Sequence, residues 1–330
     1  MTCARTTVTS SHTAPLCPLC EDVDTYFVFH GEDELGNSFP TYSCRNCGTS
    51  FLFPPPTPAQ LEKAYATSYY GEGATKFGGV IEHLRDLASK TRAQTLARGL
   101  PSNSRILDVG CGDGRLLRQF SQLGDNYQLH GIELPGPAAE RTAKIPRVQL
   151  HLGTQDTVDF PEAHFDLITL VHVLEHLPNP RQAVVRLVRW LKPGGILFLS
   201  FPNVDSWQAK AFGSAWFHLD PPRHLTLPSP AAVSQLLSSN KVALQRGSHW
   251  CPEQNLYGWI QSALNDLDPV RNLLYERLKR NFSYHPARKL TPLWHLLFAG
   301  LLSPFAILAD ATATIARSGA TVELTFKKAL

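Results

Sequence analysis

Residues 106–114, Ile-Leu-Asp-Val-Gly-Cys-Gly-Asp-Gly, constrain this chain more than any other stretch. They read as an apolar strand that enters a turn with glycine at every second position, followed by a helix from about Arg115. Gly110, Gly112 and Gly114 let the backbone turn sharply and let a ligand approach it with no Cβ in the way. The helix behind them presents free N–H groups and the positive end of its dipole to that ligand. A dinucleotide loop would need Gly-x-Gly-x-x-Gly, but position 115 is Arg and the spacing is Gly-x-Gly-x-Gly. A bare strand-to-helix turn with no ligand is the alternative.

From Ser104 onward the pattern alternates between strand and helix, which predicts a parallel sheet covered on both faces. Strands are expected near 104–109, 127–132, 147–152, 165–171 and 195–201, and helices near 114–123, 135–144 and 180–191. Lys192-Pro193-Gly194-Gly195 should stop the last helix, since Pro cannot continue it and Gly accepts positive φ. Upstream, a helix from about Lys76 to Arg98 is apolar at Val80, Ile81, Leu84, Leu87 and Leu96. Ligands of open α/β sheets bind outside the carboxyl ends of the strands. Glu133 ends the second strand, where a carboxylate can accept two ribose hydroxyls. Thr154-Gln155-Asp156 follows the third strand, and the fourth runs through Val171 into His172.

Taken in order, the motifs over residues 104–203 resemble class I S-adenosylmethionine (SAM)-dependent methyltransferases. The resemblance implies a Rossmann-like α/β sheet, mostly parallel and of seven strands. It also implies SAM held by Asp108, Gly110, Cys111, Gly112, Gly114, Glu133, Gln155, Asp156, Val171 and His172. In that family the acidic residue and the loop hold the amino-acid end of the cofactor, and the segment after the third strand flanks the adenine.

Four of the seven cysteines form two C-x-x-C knuckles, Cys17-Pro-Leu-Cys20 and Cys44-Arg-Asn-Cys47, with 23 residues between them. Each knuckle can place two thiolates on one metal, and two complete the tetrahedral Cys₄ shell that zinc prefers. Tyr26–Phe29 and Phe39–Ser43 between them suit a short β-hairpin, so a zinc ribbon is expected over 15–56. Its closed shell makes the zinc structural. A redox dithiol is the alternative. Cys3, Cys111 and Cys251 read as free thiols. With no secretory signal, seven cysteines suit a reducing compartment, the cytoplasm.

The remaining organisation follows from composition. Residues 1–14, rich in Thr and Ser, are expected to be disordered. Residues 57–100 are expected to be linker helices after the Pro54–Pro58 run, starting at Thr57 and passing Leu61 and Tyr65. Aromatics then cluster at Tyr65, Tyr69 and Tyr70 before Gly71–Gly73. Residues 101–250 form the SAM-binding core, 251–316 a helical lid with an apolar segment, and 317–330 a last strand returning to the sheet. The ribbon, the Tyr-rich segment and Trp216…Asp220-Pro-Pro-Arg-His224-Leu225 resemble a methyltransferase-23-like bacterial subgroup.

An alcohol acceptor needs a base or a metal to favour its alkoxide. His172, Glu175 and His176 stand at i, i+3 and i+4, so a helical turn would put them on one face. His224 could approach from the segment after the fifth strand. The set is similar to the Glu-x-x-Glu-His plus distal His metal site of small-RNA 2′-O-methyltransferases and to the Glu-x-x-Glu-His of ubiquinone-pathway O-methyltransferases. Here His172 replaces the first Glu, which disfavours Mg²⁺ and favours Zn²⁺, Mn²⁺ or Fe²⁺ as a second divalent ion. Acid/base work by His176 or His224, and plain packing, stay open.

Residues 293–309 are apolar except for His295 and Ser303, too short for the ~20 residues of a span, and contain Pro304. Arg277, Lys279, Arg280, Arg288 and Lys289 precede them and could meet anionic headgroups. The readings are a buried helix or homodimer contact, a peripheral membrane contact and, least, a true span.

Net charge is +3, from 31 Lys+Arg and 28 Asp+Glu, which does not call for a polyanionic partner. Residues 1–60 hold Arg5 and Arg45 against Glu21, Asp22, Asp24, Glu32, Asp33 and Glu34, a poor phosphate reader. The expected function is SAM-dependent O-methylation of a small-molecule, sugar or lipid-linked acceptor. An RNA methyltransferase, or a non-catalytic SAM-fold protein whose ribbon docks a partner, are the alternatives.

Overall fold

The computed structural model describes residues 15–65, 79–124, 126–268, 270–279 and 293–330. The expectations for residues 1–14, for Tyr69–Gly73 and for the helix start at Lys76 lie outside these. The amino-terminal module is antiparallel: β1 (Thr25–Glu32) pairs with β2 (Ser38–Cys44), and β2 with β3 (Ser50–Leu52). A short helix α1 (Pro58–Ala64) follows. Thr57 caps it: its hydroxyl accepts from the Gln60 amide while the Gln60 side chain accepts from the Thr57 amide, a reciprocal box. Then comes α2 (Gly79–Ala97).

The core begins with β4 (Arg105–Val109), α3 (Arg115–Gln122), β5 (Gln128–Glu133), α4 (Pro137–Thr142) and β6 (Val148–Leu152). It continues through β7 (Phe165–Val171), α5 (Pro180–Trp190), β8 (Leu191–Pro202) and α6 (Trp207–Phe212). The two-residue β9 (Thr226–Leu227), α7 (Pro230–Ser239) and β10 (Val242–Ser248) come next. Helices α8 (Pro252–Leu267), α9 (Leu273–Leu278) and α10 (Leu293–Ile315) precede the last strand, β11 (Thr321–Lys328).

The seven core strands lie in the order β10-β11-β8-β7-β4-β5-β6, parallel from β8 to β6, with β11 antiparallel to both its neighbours. The chain leaves β4 toward β5 and β6, then crosses back to β7 on the other side. The switch point between β4 and β7 is where open α/β sheets bind ligands. Both faces of these strands are covered, so Ile106, Leu107, Val109, Leu167, Ile168 and Leu170 are all buried and the strands read as continuous apolar runs.

Three local expectations are corrected. Lys192–Gly195 does not separate helix from strand. α5 ends at Trp190, Leu191 already pairs with Phe165, and the next pair is Ile196 with Leu167. The four residues are a bulge within β8, with Gly194 at φ 74° absorbing the bend.

Along α2, Leu84 and Leu87 are exposed, and the buried face carries Glu82, Ser89, Ala93 and Leu96. Charged partners drive this reversal. Glu82 and Asp86 bind the Arg115 guanidinium on α3, and Arg92 binds Glu253 on α8 and Glu323 on β11. Small Ser89 and Ala93 allow the close approach.

Finally, α10 runs 23 residues, through Pro304, and little of it is buried, which sets aside the buried-helix reading alone among those for this segment.

Candidate functional site

The glycine turn sits at the carboxyl end of β4. Gly112 has φ 56° and open space where a Cβ would stand, so the loop leaves room for a ligand there. At Gly114, φ 69°, a Cβ would come within 2.4 Å of Ile145 Cδ1 and 2.8 Å of Thr142 Oγ1; that glycine serves packing against α4. Cys111 is buried, its amide bonded to the Ile132 carbonyl and its sulfur packed on Gly131. Beneath the loop, Asp108 is buried and accepts a 2.7 Å hydrogen bond from Thr169 on β7. Burial pushes its carboxyl up to about 7 and the nearby Glu133 adds to this, against the Thr169 bond.

Glu133, at the end of β5, accepts from the amides of Gly112 (2.6 Å) and Leu134 (3.0 Å), and burial raises its pKa. Each carboxylate oxygen keeps a further lone pair for a ribose hydroxyl. Gln155 is buried after β6 and donates to exposed Asp156 at 3.0 Å. Val171 and His172 close the rim at the end of β7. The structure therefore brings the ten candidate cofactor residues onto the carboxyl ends of four adjacent strands.

In the amino-terminal module Cys17 Sγ lies 3.7 Å from Cys47 Sγ and Cys20 Sγ 3.5 Å from Cys44 Sγ; all four sulfurs are within 4.8 Å of one another. A tetrahedron with ~2.3 Å zinc–sulfur bonds has edges of about 3.8 Å, which the Cys17–Cys47 and Cys20–Cys44 separations approach, so the four thiols suit that ion. The hydrogen bond from Cys17 lowers Cys47 to about 5, which favours the thiolate.

The second cluster departs from its expected form. Only Leu174–His176 is helical, a single 3₁₀ turn, and His172 precedes it at φ 55°. His172 Nδ1 meets Glu175 Oε1 at 3.1 Å, whereas His176 turns away toward the chain that follows β8. There His176 Nδ1 lies 3.0 Å from the Arg223 carbonyl and 2.9 Å from the Tyr65 hydroxyl. His224 Nδ1 lies 2.7 Å from the His218 carbonyl. A carbonyl only accepts, so both Nδ1 atoms carry the proton and both Nε2 atoms keep a lone pair.

Glu175 is wholly buried, and its Oε2 has no hydrogen-bond partner. One ligand atom from each of Glu175, His176 and His224 lies within 4.8 Å of the other two. Burial, with the neighbouring His224, lowers His176 to about 4, and burial lowers His218 to about 3, so these rings are neutral near pH 7. Burial works to raise Glu175 but is outweighed by His172 and the other histidines, which hold it at about 2.

Sequence reasoning missed the parts that hold this cluster. Asp220 and Glu34 bind the Arg223 guanidinium, the latter at 3.1 Å, and Leu225 donates to the Glu175 carbonyl at 2.8 Å. β9, directly after His224 and Leu225, pairs with β3 of the cysteine module (Ser50 with Leu227, Phe51 with Thr226), and Leu52 donates to the Leu225 carbonyl. Ser229 Oγ donates to the Cys47 carbonyl at 2.6 Å. The i, i+3 pair Asp220/Arg223 was a readable signal; a two-residue strand had none. Arg223 also lines a cavity of about 260 Å³ between the β1–β2 loop, α1 and Pro221–Pro222.

Known proteins bear on this arrangement. Residues 80–240 match a family model described as a methyltransferase domain. The ubiquinone biosynthesis O-methyltransferase of Xanthomonas oryzae pv. oryzae is 29% identical over 189 residues, 53% of this chain and 68% of that protein. Its namesake from Idiomarina loihiensis is 36% identical over 115 residues, 31% of this chain and 45% of that protein. Among solved structures, the [4+2]-cyclase SpnF aligns with a TM-score of 0.48 at 19% identity, over 74% of this chain and 82% of that one. Coclaurine N-methyltransferase aligns at 0.44 and 15%, over 83% and 81%.

Proposed function

For a chain that belongs to the class I SAM-dependent methyltransferases, we propose O-methylation of a small hydroxyl-bearing acceptor, activated at Glu175, His176 and His224. The observation that carries this reading is the wholly buried Glu175, with an unpartnered Oε2, clustered within 4.8 Å of ligand atoms of His176 and His224, whose Nδ1 atoms are bonded to backbone carbonyls. The curated relatives named above are O-methyltransferases, which supports an oxygen acceptor.

SAM supplies an electrophilic methyl group on a sulfonium. Asp108 and the glycine loop hold its amino-acid end, Glu133 its ribose, and Gln155 or Asp156 its base edge. The acceptor oxygen displaces the sulfur in line, the new O–CH₃ bond forms as the S–CH₃ bond breaks, and S-adenosylhomocysteine leaves. The hydroxyl proton passes to an Nε2 lone pair of His176 or His224 and from there to water.

Two metals fit donor sets of this protein. Zinc suits the four cysteines and would be structural, since the shell is closed. A borderline divalent ion suits the Glu175, His176, His224 set, whose Nδ1–H to carbonyl bonds are the usual support of ligating histidines. Such an ion would lower the acceptor's pKa.

Tritiated-methyl SAM incubated with small-molecule, glycolipid and RNA fractions tests the proposal. Label should enter the small-molecule or glycolipid fraction. Glu175→Gln and His224→Ala should each lower transfer by roughly 10²-fold or more, with S-adenosylhomocysteine affinity unchanged. Label in RNA, label nowhere, or full activity in both variants would overturn it. Metal analysis should find one zinc per chain in His224→Ala and a second ion only in the parent.

A further inference from the structure

We propose that the outer face of α10 seats the protein on an anionic lipid surface, lying in the interface plane. The proposal does not depend on the reaction. Leu297, Leu301, Phe305, Leu308 and Ile315 are 67%, 68%, 66%, 64% and 84% exposed. Their spacing of three, four and seven places them on one side of the helix. The opposite side carries the buried His295, Ala306, Asp310 and Ala313 and packs on α8. Trp294–Ile315 has a mean hydropathy of 1.7, as apolar as a core helix, yet only 17% of its apolar window is buried. The stripe carries no charge, and such exposed apolar patches mark contact surfaces.

Both ends of the helix are tied to the domain, which excludes a span. Near its start, His295 Nε2 meets Asp268 Oδ2 at 3.1 Å. Near its end, Thr314 donates to the His249 carbonyl, and the Ala320 carbonyl accepts from Asn203 before β11 enters the sheet. The helix therefore lies along the molecule, the geometry of an interfacial amphipathic helix.

Lipid fits better than a second copy. A helix of 23 residues is about 35 Å long, and a ridge ~10 Å wide offers roughly 350 Å² per copy. Two such faces fall well short of the ~1,200 Å² of a stable interface. Apart from the buried Lys279–Glu276 ion pair, the sequence from 271 to 292, which leads into α10, has five basic residues and no acidic one, a charge that anionic headgroups complement.

The test is flotation of the full-length protein with phosphatidylcholine vesicles, with and without phosphatidylglycerol. Binding should be at least fivefold greater with phosphatidylglycerol and should weaken with salt. Leu301→Glu and Phe305→Glu, both at exposed positions, should each lower it at least tenfold while S-adenosylhomocysteine affinity stays unchanged. No vesicle binding, binding indifferent to either substitution, or a micromolar dimer that Leu301→Glu converts to monomer would overturn the proposal.

Discussion

Asp108 shows how one residue type carries two messages. As a letter before Val109-Gly110 it marked a cofactor loop; only its burial beside Thr169 and Glu133 shows that the free protein holds it protonated below about pH 7. The sign is opposite to that of a salt-bridged carboxylate. With the folded pKa above the unfolded one, Asp108 costs stability progressively as pH rises from about 4 to 7, and the cost is complete above that. A cationic cofactor end favours the carboxylate. Titration calorimetry near pH 6.5, in two buffers of different ionisation enthalpy, should therefore show proton release on SAM binding. Affinity should rise from pH 6 to 8, and Asp108→Asn should release none. Affinity independent of pH in the parent would contradict this.

At the scale of elements, the cysteine module and the core share a sheet edge. β3 accepts β9, and β9 begins two residues after His224, so the module fixes the strand that delivers one member of the histidine pair. If the four cysteines hold the proposed zinc, a chelator or Cys47→Ser should speed amide exchange at Leu52 and Leu225 at least tenfold. Leu107 and Ile168 in the central strands should keep their protection, and S-adenosylhomocysteine should bind as before. Unchanged exchange at Leu225 would show the two modules to be independent. The knuckles were legible because C-x-x-C is local. The β3–β9 pairing was not, because two residues of extended chain have no periodicity.

At the scale of the molecule, Arg92 joins three parts of the chain: α2, α8 and the last strand β11. Its guanidinium binds Glu323 through Nε and Nη2 and Glu253 through Nη2 at 3.1 Å, in a nearly buried setting. Removing a buried partner strands the other charges, a loss of about 3–5 kcal/mol. Arg92→Ala should lower urea-unfolding stability by that amount, and Arg92→Lys should recover only part of it, because Lys lacks the planar fork. A loss below about 1 kcal/mol would show the triad to be a surface-type pair.

Local order along the chain determined much of this protein. The alternation of strand and helix, the glycine spacing at 110–114 and the paired cysteines each arise within a few residues, where dihedral preference and periodicity act. The tertiary structure decided which face of α2 points inward, because Arg115, Glu253 and Glu323 are distant in sequence and become neighbours only on folding. It also decided that Glu175 and His176 meet His224 while His172 turns to Glu175 alone, and that the apolar face of α10 stays uncovered. Burial and charge pairing across long sequence separations set these outcomes, and no local pattern encodes them.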